Sequence, residues 1–403
     1  MDSACQVVDL LSKDFLKNPY GVYAQLRNNL PLCQLADGTY VVSRFEDVQF
    51  VLKRTDLFSS GWSKFPISHP DWVDETLQRG WFISEADPPE HTKHRAVVKK
   101  LFMEKEVKKL APAMEQTALD LLNDLQKDVW IDFLDAYAFP YVAKMSDKIT
   151  GINVASVIND VRCWVESAES LVSGCPSLSE RAQFEANVRI QNRYFDALIQ
   201  SRSANPQVDL VTELINAQID GVRLSKGQLY GALNVFMIGA IQAPAQIVAV
   251  ALSILANDET MTDKIGKDPD LIPAFIEEIL RLHNPSQGLI RTTKSEEAVL
   301  SGGRIPANSK VLALIGSANR DPSHFSDPDE IQLERKNLKG HLGLGHGVHI
   351  CIGEALARLE TKIALEKLLP HVKSFECPKL DQLSWVGTIV GRLLRKFPAK
   401  FNS

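Results

Sequence analysis

Gly343-Leu344-Gly345-His346-Gly347-Val348-His349-Ile350-Cys351-Ile352-Gly353 is the stretch on which the reading of this chain turns. One cysteine of six lies between glycines, and directly after it Glu354 to Leu369 is rich in Ala, Leu, Glu and Lys, the composition of a helix. A helix starting there turns its free amides and the positive end of its dipole towards the sulfur. Both favour a thiolate, and with it a bond to iron. Gly345, Gly347 and Gly353 let a tight loop approach a flat cofactor, because glycine has no side chain and tolerates positive φ. The loop alone leaves a second reading open, a buried structural cysteine in a glycine turn.

The run resembles the haem-binding loop of the cytochrome P450 family, Phe-Gly-x-Gly-x-His-x-Cys-x-Gly, with Leu344 where the family usually has phenylalanine. The resemblance implies haem b with the Cys351 thiolate as axial metal ligand, and Leu344, Gly345 and Gly353 against the cofactor. Leucine exchanges an aromatic contact for an aliphatic one, which spares ligation and bears on redox tuning. Other motifs stand in the same order as in bacterial members. Glu278-Ile279-Leu280-Arg281 matches Glu-x-x-Arg, and its i, i+3 spacing sets the two charges on one helix face. Arg291, Ala318-Asn319-Arg320-Asp321-Pro322, Phe325, Asp327-Pro328-Asp329 and Arg335 follow. By resemblance, Glu278, Arg281 and Arg335 form a buried ion network, and His91, Arg95, Arg291 and His349 meet the haem propionates. The implied fold is mainly α with small β-sheets, the cytochrome P450 fold. It takes residues 1–403 as a single haem-thiolate domain, although length alone suggests two or three domains.

The segment from Gly231 to Ala256 reads as one long apolar helix. In the family this helix crosses the oxygen face of the haem and carries an acid and an alcohol that deliver protons. Here Gly239-Ala240-Ile241-Gln242-Ala243-Pro244 puts Gln242 in place of the acid and Ala243 in place of the alcohol. Glutamine does not ionise and alanine offers no hydrogen bond. Pro244 removes an N–H and collides with the carbonyl of Ala240, so a kink with a free Ala240 carbonyl is expected. Three consequences follow from this pattern. They are proton delivery assisted by the substrate or by water at Gln242 and Ala240, direct use of peroxide, or a reaction other than hydroxylation such as coupling, desaturation or cyclisation.

The position of the remaining segments outlines a mostly apolar chamber. Phe82, Ile83, Ile238, Gly239, Gln242, Ala243, Leu289, Ile290, Ile389 and Val390 are its expected lining, with Trp62, Phe65, Trp72 and Trp81 in the loop before His91. Such a chamber suits an apolar molecule of natural-product size, as in secondary metabolism. No flavin or iron–sulfur motif is present, so by resemblance electrons arrive from a ferredoxin or flavodoxin. Lys93, Lys99, Lys100 and Lys339, with Arg358, are the candidate docking face. A non-catalytic haem-thiolate sensor or partner-binding module is the rival from another class.

Composition is compatible with a cytoplasmic enzyme that is monomeric. A net charge of −5 gives no sign of a nucleic-acid partner. No 18-residue apolar span or signal-like start is read from the sequence, so no membrane is expected. Cys5, Cys33, Cys163, Cys175 and Cys377 lack C-x-x-C spacing and read as reduced thiols. Helices are expected over Asn18–Asn29, Lys105–Leu125, Val154–Val172 and Ser179–Ala204. Hairpins are expected at Asp37-Gly38 and over Gln382–Phe397.

Overall fold

The helix Glu354–Leu368, which follows the cysteine loop, is the hub of the computed structural model. Its buried positions Leu356, Glu360, Ile363, Ala364 and Leu368 recur at helical spacing and form one stripe. That stripe packs against the helices Ala111–Asn123, Gln242–Asn257 and Ile272–Leu282. The structure describes residues 10, 12–61, 82–164, 177–388 and 390–403. Trp62, Phe65, Trp72, Trp81 and Ile389 lie outside the described residues.

A five-stranded sheet packs beside this helical body, in the order Leu32–Gln34, Tyr40–Val42, Lys310–Ala313, Leu289–Thr293, Phe58–Ser59. Its first two strands form the expected hairpin, where Gly38 takes φ +87° and the Asp37 carboxylate accepts from the Thr39 amide at 2.9 Å. Tyr40–Val42 runs parallel to Lys310–Ala313, while Leu289–Thr293 runs antiparallel and sets Arg291 opposite Val311. The terminal hairpin pairs Trp385–Gly387 with Arg392–Leu394.

The apolar segment expected as one kinked helix is two helices, Lys226–Gly239 and Gln242–Asn257. Between them Ile241 sits at φ −120°, ψ −55°, so the axis is broken, not bent. Pro244 is the third residue of the second helix. Amides of a first turn have no partner within their own helix, so the missing N–H there costs little. Gln246 ties the second helix to the terminal hairpin, donating to the Leu394 carbonyl at 3.2 Å and accepting from its amide at 2.8 Å.

Among the described residues, Lys226–Asn257 is long and apolar enough to cross a membrane, which corrects the expectation of no such span. Of its most apolar window, 67% is buried inside the protein, as in a core helix.

Other boundaries shift for local reasons. The helix expected over Lys105–Leu125 is divided into Glu104–Val107, a 3-10 turn Lys108–Leu110, and Ala111–Asn123, because Pro112 has no amide for the Lys108 carbonyl. The helix expected from Ser179 is capped at Ser177 instead, through a reciprocal capping box with Glu180. Val154–Val157 is 3-10, residues 158–164 are helical, and the rest of that expected helix is outside the described residues. Cys33 takes part in a disulfide, contrary to the reduced thiol expected, whereas Cys163, Cys351 and Cys377 are free.

Candidate active site

The cysteine loop folds on itself through short backbone bonds. The Cys351 amide donates to the Leu344 carbonyl at 2.8 Å and the Gly345 amide to Leu342 at 2.9 Å. Gly345 and Gly347 take φ +77° and +71°, the left-handed region in which glycine is needed. Gly343 is required for a different reason, since a Cβ there would stand 2.3 Å from the Leu280 carbonyl oxygen. The Cys351 thiol is pushed up by burial, which outweighs the Gly353 amide and the more distant Arg95 and Arg358 that favour the anion.

Cys351 forms part of the wall between two spaces. The inner cavity, about 360 Å³, is bounded by Leu344, Gly345, Cys351 and Gly353 on one side. Gly239, Ala240, Ala243 and Pro244, from the helix break, bound it on another. Ile83 and Leu289 also line it, as expected.

Other expected lining residues are elsewhere. Gln242 is half-buried but outside the lining, because the residues of the second helix that face the cavity are Ala243, Pro244 and Ile247, which leaves position 242 on the flank. Ile238 falls on the same flank and packs against the core. Strand alternation separates Leu289 from Ile290, which is buried in the N-terminal cluster with Leu312 and Leu314. Val390 packs on that cluster too, its carbonyl accepting from Gln287 at 2.8 Å. Phe82 forms a second layer, stacked on His94 at 4.8 Å and edge-on to Phe236 at 6.4 Å.

At one edge of the cavity four basic side chains converge. His91, on the helix Glu90–Lys99, is buried, and neither ring nitrogen has a hydrogen-bond partner. Its ring centroid is 4.2 Å from that of His349, whose Nε2 meets the Ser60 hydroxyl at 3.0 Å. Burial and the neighbouring guanidiniums hold His91 down at about 4 and His349 at about 3. Arg291 is buried beside them, and desolvation brings it down to about 10. Arg95 is half-buried and borders both spaces. Buried basic groups with unused donors fit an anionic ligand at this edge, and the apolar interior fits a flat hydrophobic one. A haem with its two propionates has both properties.

The expected ion network is complete. Arg281 donates to Glu278 at 2.7 and 2.8 Å, and Arg335 reaches the same carboxylate at 3.1 Å. Both guanidiniums also hold the backbone of the preceding loop, Arg281 at Asn319, Pro328 and Glu330 and Arg335 at Ser326, Asp327 and Glu330. A second cluster beside it escaped sequence reasoning. Glu277 accepts from His341 at 3.0 Å and from Arg358 at 2.6 and 3.1 Å, joining the helix Ile272–Leu282, the loop and the hub helix. The Gly343 amide donates to His341 Nδ1 at 3.0 Å, which leaves Nε2 to carry the proton towards Glu277.

The outer space, about 650 Å³, lies on the far side of the cysteine loop. Lys99 and Lys339 border it. Arg358 borders it too and is paired with Glu277 and Glu354, while Lys93 pairs with Asp220 and Lys100 with Glu213. The cavity residues that reasoning missed include Phe102, Val235, Ile247, Asn284, Ile315 and Glu360. Helical period from Ala243 reaches Ile247, and from Gly353 it reaches Glu360.

Comparison with known proteins agrees with this geometry. Residues 178–391 match the family described as Cytochrome P450. The chain is 32% identical to Cytochrome P450 107B1 of Saccharopolyspora erythraea, over 98% of both chains. It is 28% identical to 6-deoxyerythronolide B hydroxylase of the same organism, over 98% of this chain and 99% of that one. The structure of CYP109Q5 from Chondromyces apiculatus superposes with a TM-score of 0.84 at 30% identity, covering 98% of each. The protein is therefore a member of the cytochrome P450 family, monooxygenases that carry haem b on a cysteine thiolate.

Proposed function

We propose that this chain is a cytoplasmic monooxygenase of one domain, with Cys351 as the axial thiolate of haem b, acting on an apolar molecule of natural-product size. The observation that carries the reading is the cavity itself, walled by Cys351 on one side and by Ala240, Ala243 and Pro244 on another, with four basic groups at one edge. His91, Arg95, Arg291 and His349 would hold the propionates, and the Glu278 network keeps the loop before Cys351 in place. When bound, haem supplies the redox centre for the reduction of dioxygen. Similarity to 6-deoxyerythronolide B hydroxylase and to the polyketide biosynthesis cytochrome P450 PksS of Bacillus subtilis supports a polyketide-like substrate.

Protein side chains set the proton supply. Ala243 has no hydrogen-bonding group, and Gln242 is outside the lining. The Ala240 carbonyl lies at the break between the two helices, where residue 244, being proline, has no amide to offer it. A substrate hydroxyl or a water held at that carbonyl is the donor this wall can accommodate. The same bare wall favours a second reading, use of peroxide without electron delivery. Where electrons are used, Lys99 and Lys339 at the outer space suit an acidic ferredoxin or flavodoxin.

The test is the spectrum of the reduced, haem-loaded protein with carbon monoxide. A thiolate-type Soret band in the wild type, lost in Cys351→Ser, is the expected result. A wild-type spectrum of imidazole type would refute the assignment. Turnover with peroxide alone, matched against turnover with NADPH, ferredoxin reductase and ferredoxin, then separates the two modes.

A further inference from the structure

One carboxylate beside the basic edge has no part in the reading above. Asp87 stands just ahead of the helix Glu90–Lys99 and ties the edge strand Phe58–Ser59 to it. Its Oδ2 accepts from the Ser59 hydroxyl at 2.6 Å and its Oδ1 from the Ser60 amide at 2.8 Å. Ser60 is buried, and its hydroxyl meets His349 Nε2 at 3.0 Å, so Asp87 fixes the bend from which that imidazole is held. The Asp87 carbonyl accepts from the His91 amide at 2.9 Å, which joins the same residue to a second member of the edge. Its carboxylate also acts on His91 and Arg291, opposing the burial that disfavours their charged forms, and among the described residues no other acid acts on either. Lys294, next after the strand Leu289–Thr293, comes within 3.4 Å of Asp87 Oδ2 while its Nζ donates to the Thr55 carbonyl at 2.6 Å. Asp87 is therefore shared between a partly exposed cation and the buried basic edge.

We propose that Asp87 is a positioning residue of the haem edge, the counter-charge that holds Ser60 and His349 in place and sets how much uncompensated positive charge surrounds the propionates. The inference rests on the haem-binding reading above. A negative charge within this edge opposes the arrival of an electron at the iron, so Asp87 holds the reduction potential down. Lys294, on the more exposed side of the pair, offsets part of that charge. Partly buried charges are screened by salt much less than exposed ones, so the effect should persist at physiological ionic strength.

The experiment is a spectroelectrochemical titration of the haem-loaded wild type, Asp87→Asn and Lys294→Met, without substrate. Asp87→Asn keeps the shape and an acceptor for Ser60 but removes the charge. At a fixed applied potential its ferrous-to-ferric ratio should rise about threefold to tenfold, the scale of one unit charge acting across protein. For a one-electron couple that is about 28–59 mV upward, at about 59 mV per decade. Lys294→Met leaves the carboxylate uncompensated and should move the ratio the other way, by less, because the lysine side chain is 36% exposed. The reduced carbon monoxide spectrum should stay of thiolate type in both. Loosened packing alone would move both variants in one direction, so opposite signs identify the charge. Unchanged potentials, or shifts of the same sign, would overturn the proposal. Should Asp87→Asn not retain haem, Lys294→Met decides alone, a downward shift supporting the proposal and an unchanged or raised potential refuting it. A wild type without the thiolate-type band would overturn the monooxygenase reading instead, which keeps the two failures apart.

Discussion

Glu278→Gln removes the charge at the centre of the buried ion network while keeping its shape. The carboxylate accepts four hydrogen bonds, two from Arg281, one from Arg335 and one from the Gln332 amide at 2.8 Å. The side chains of Arg281 and Arg335 are 0% and 2% exposed, so neither guanidinium can turn to water. Removing one partner of such a group costs about 3–5 kcal/mol, because the remaining charges stay buried. Both arginines remain tied to backbone carbonyls between Asn319 and Glu330, so the loop cannot relax freely around the glutamine. With a urea slope of about 4 kcal/mol/M, extrapolated from small domains to a chain of this length, the unfolding midpoint should fall by about 1 M. Urea titration followed by far-ultraviolet circular dichroism measures it on haem-loaded and haem-free protein. Glu334→Gln is the control, since its pair with Lys264 is 70% and 45% exposed and should contribute little to stability. If Glu278→Gln matches that control, the network is not a desolvated charge cluster and the reasoning fails.

Three further outcomes are expected. Pro244→Ala should change stability by less than about 1 kcal/mol, because position 244 is in a first turn, whereas relief at a true mid-helix proline would give about 3 kcal/mol. Gly343→Ala should destabilise by about 1–3 kcal/mol and diminish the thiolate-type spectrum, since its Cβ would press on the Leu280 carbonyl and push the cysteine loop away. Glu277 is held down at about 2, because hydrogen bonds from His341 and Arg358 outweigh the burial that opposes ionisation. Its folded value is below the ordinary 4.5, so it contributes stability above pH 4.5 that is lost as pH falls towards about 2. Urea midpoints over that window should therefore decline less steeply in Glu277→Gln than in the wild type.

Cys351, its glycines and the Glu278–Arg281 pair are legible as short local motifs, to which the family resemblance gives their roles. The basic edge was legible only through resemblance, since His91, Arg291 and His349 meet across more than two hundred residues of chain. Sequence position groups neighbours such as Leu289 and Ile290 in one lining, although a strand sends them to opposite faces. A break in the apolar helix could not be told from a kink, because proline predicts a missing bond and not the torsions of Ile241. Glu360 looked like one more charge on an Ala-, Leu- and Lys-rich helix. Only its place on the buried stripe reveals it as an unpaired acid.

The parallel pairing of Tyr40–Val42 with Lys310–Ala313 governs how this chain can be made. During synthesis the early hairpin leaves the ribosome with one edge unsatisfied, and its partner strand follows about 270 residues later, on the order of 15–50 s at ordinary elongation rates. Throughout that interval Val41 and Val42, both buried in the finished protein, have no sheet to close against. The cysteine loop is translated later still, so the nascent chain commits its N-terminal edge before the segment that binds the cofactor exists. Slow, long-range closure of this kind predisposes the protein to aggregate at high expression rates, and lower temperature with early haem supply should raise its yield.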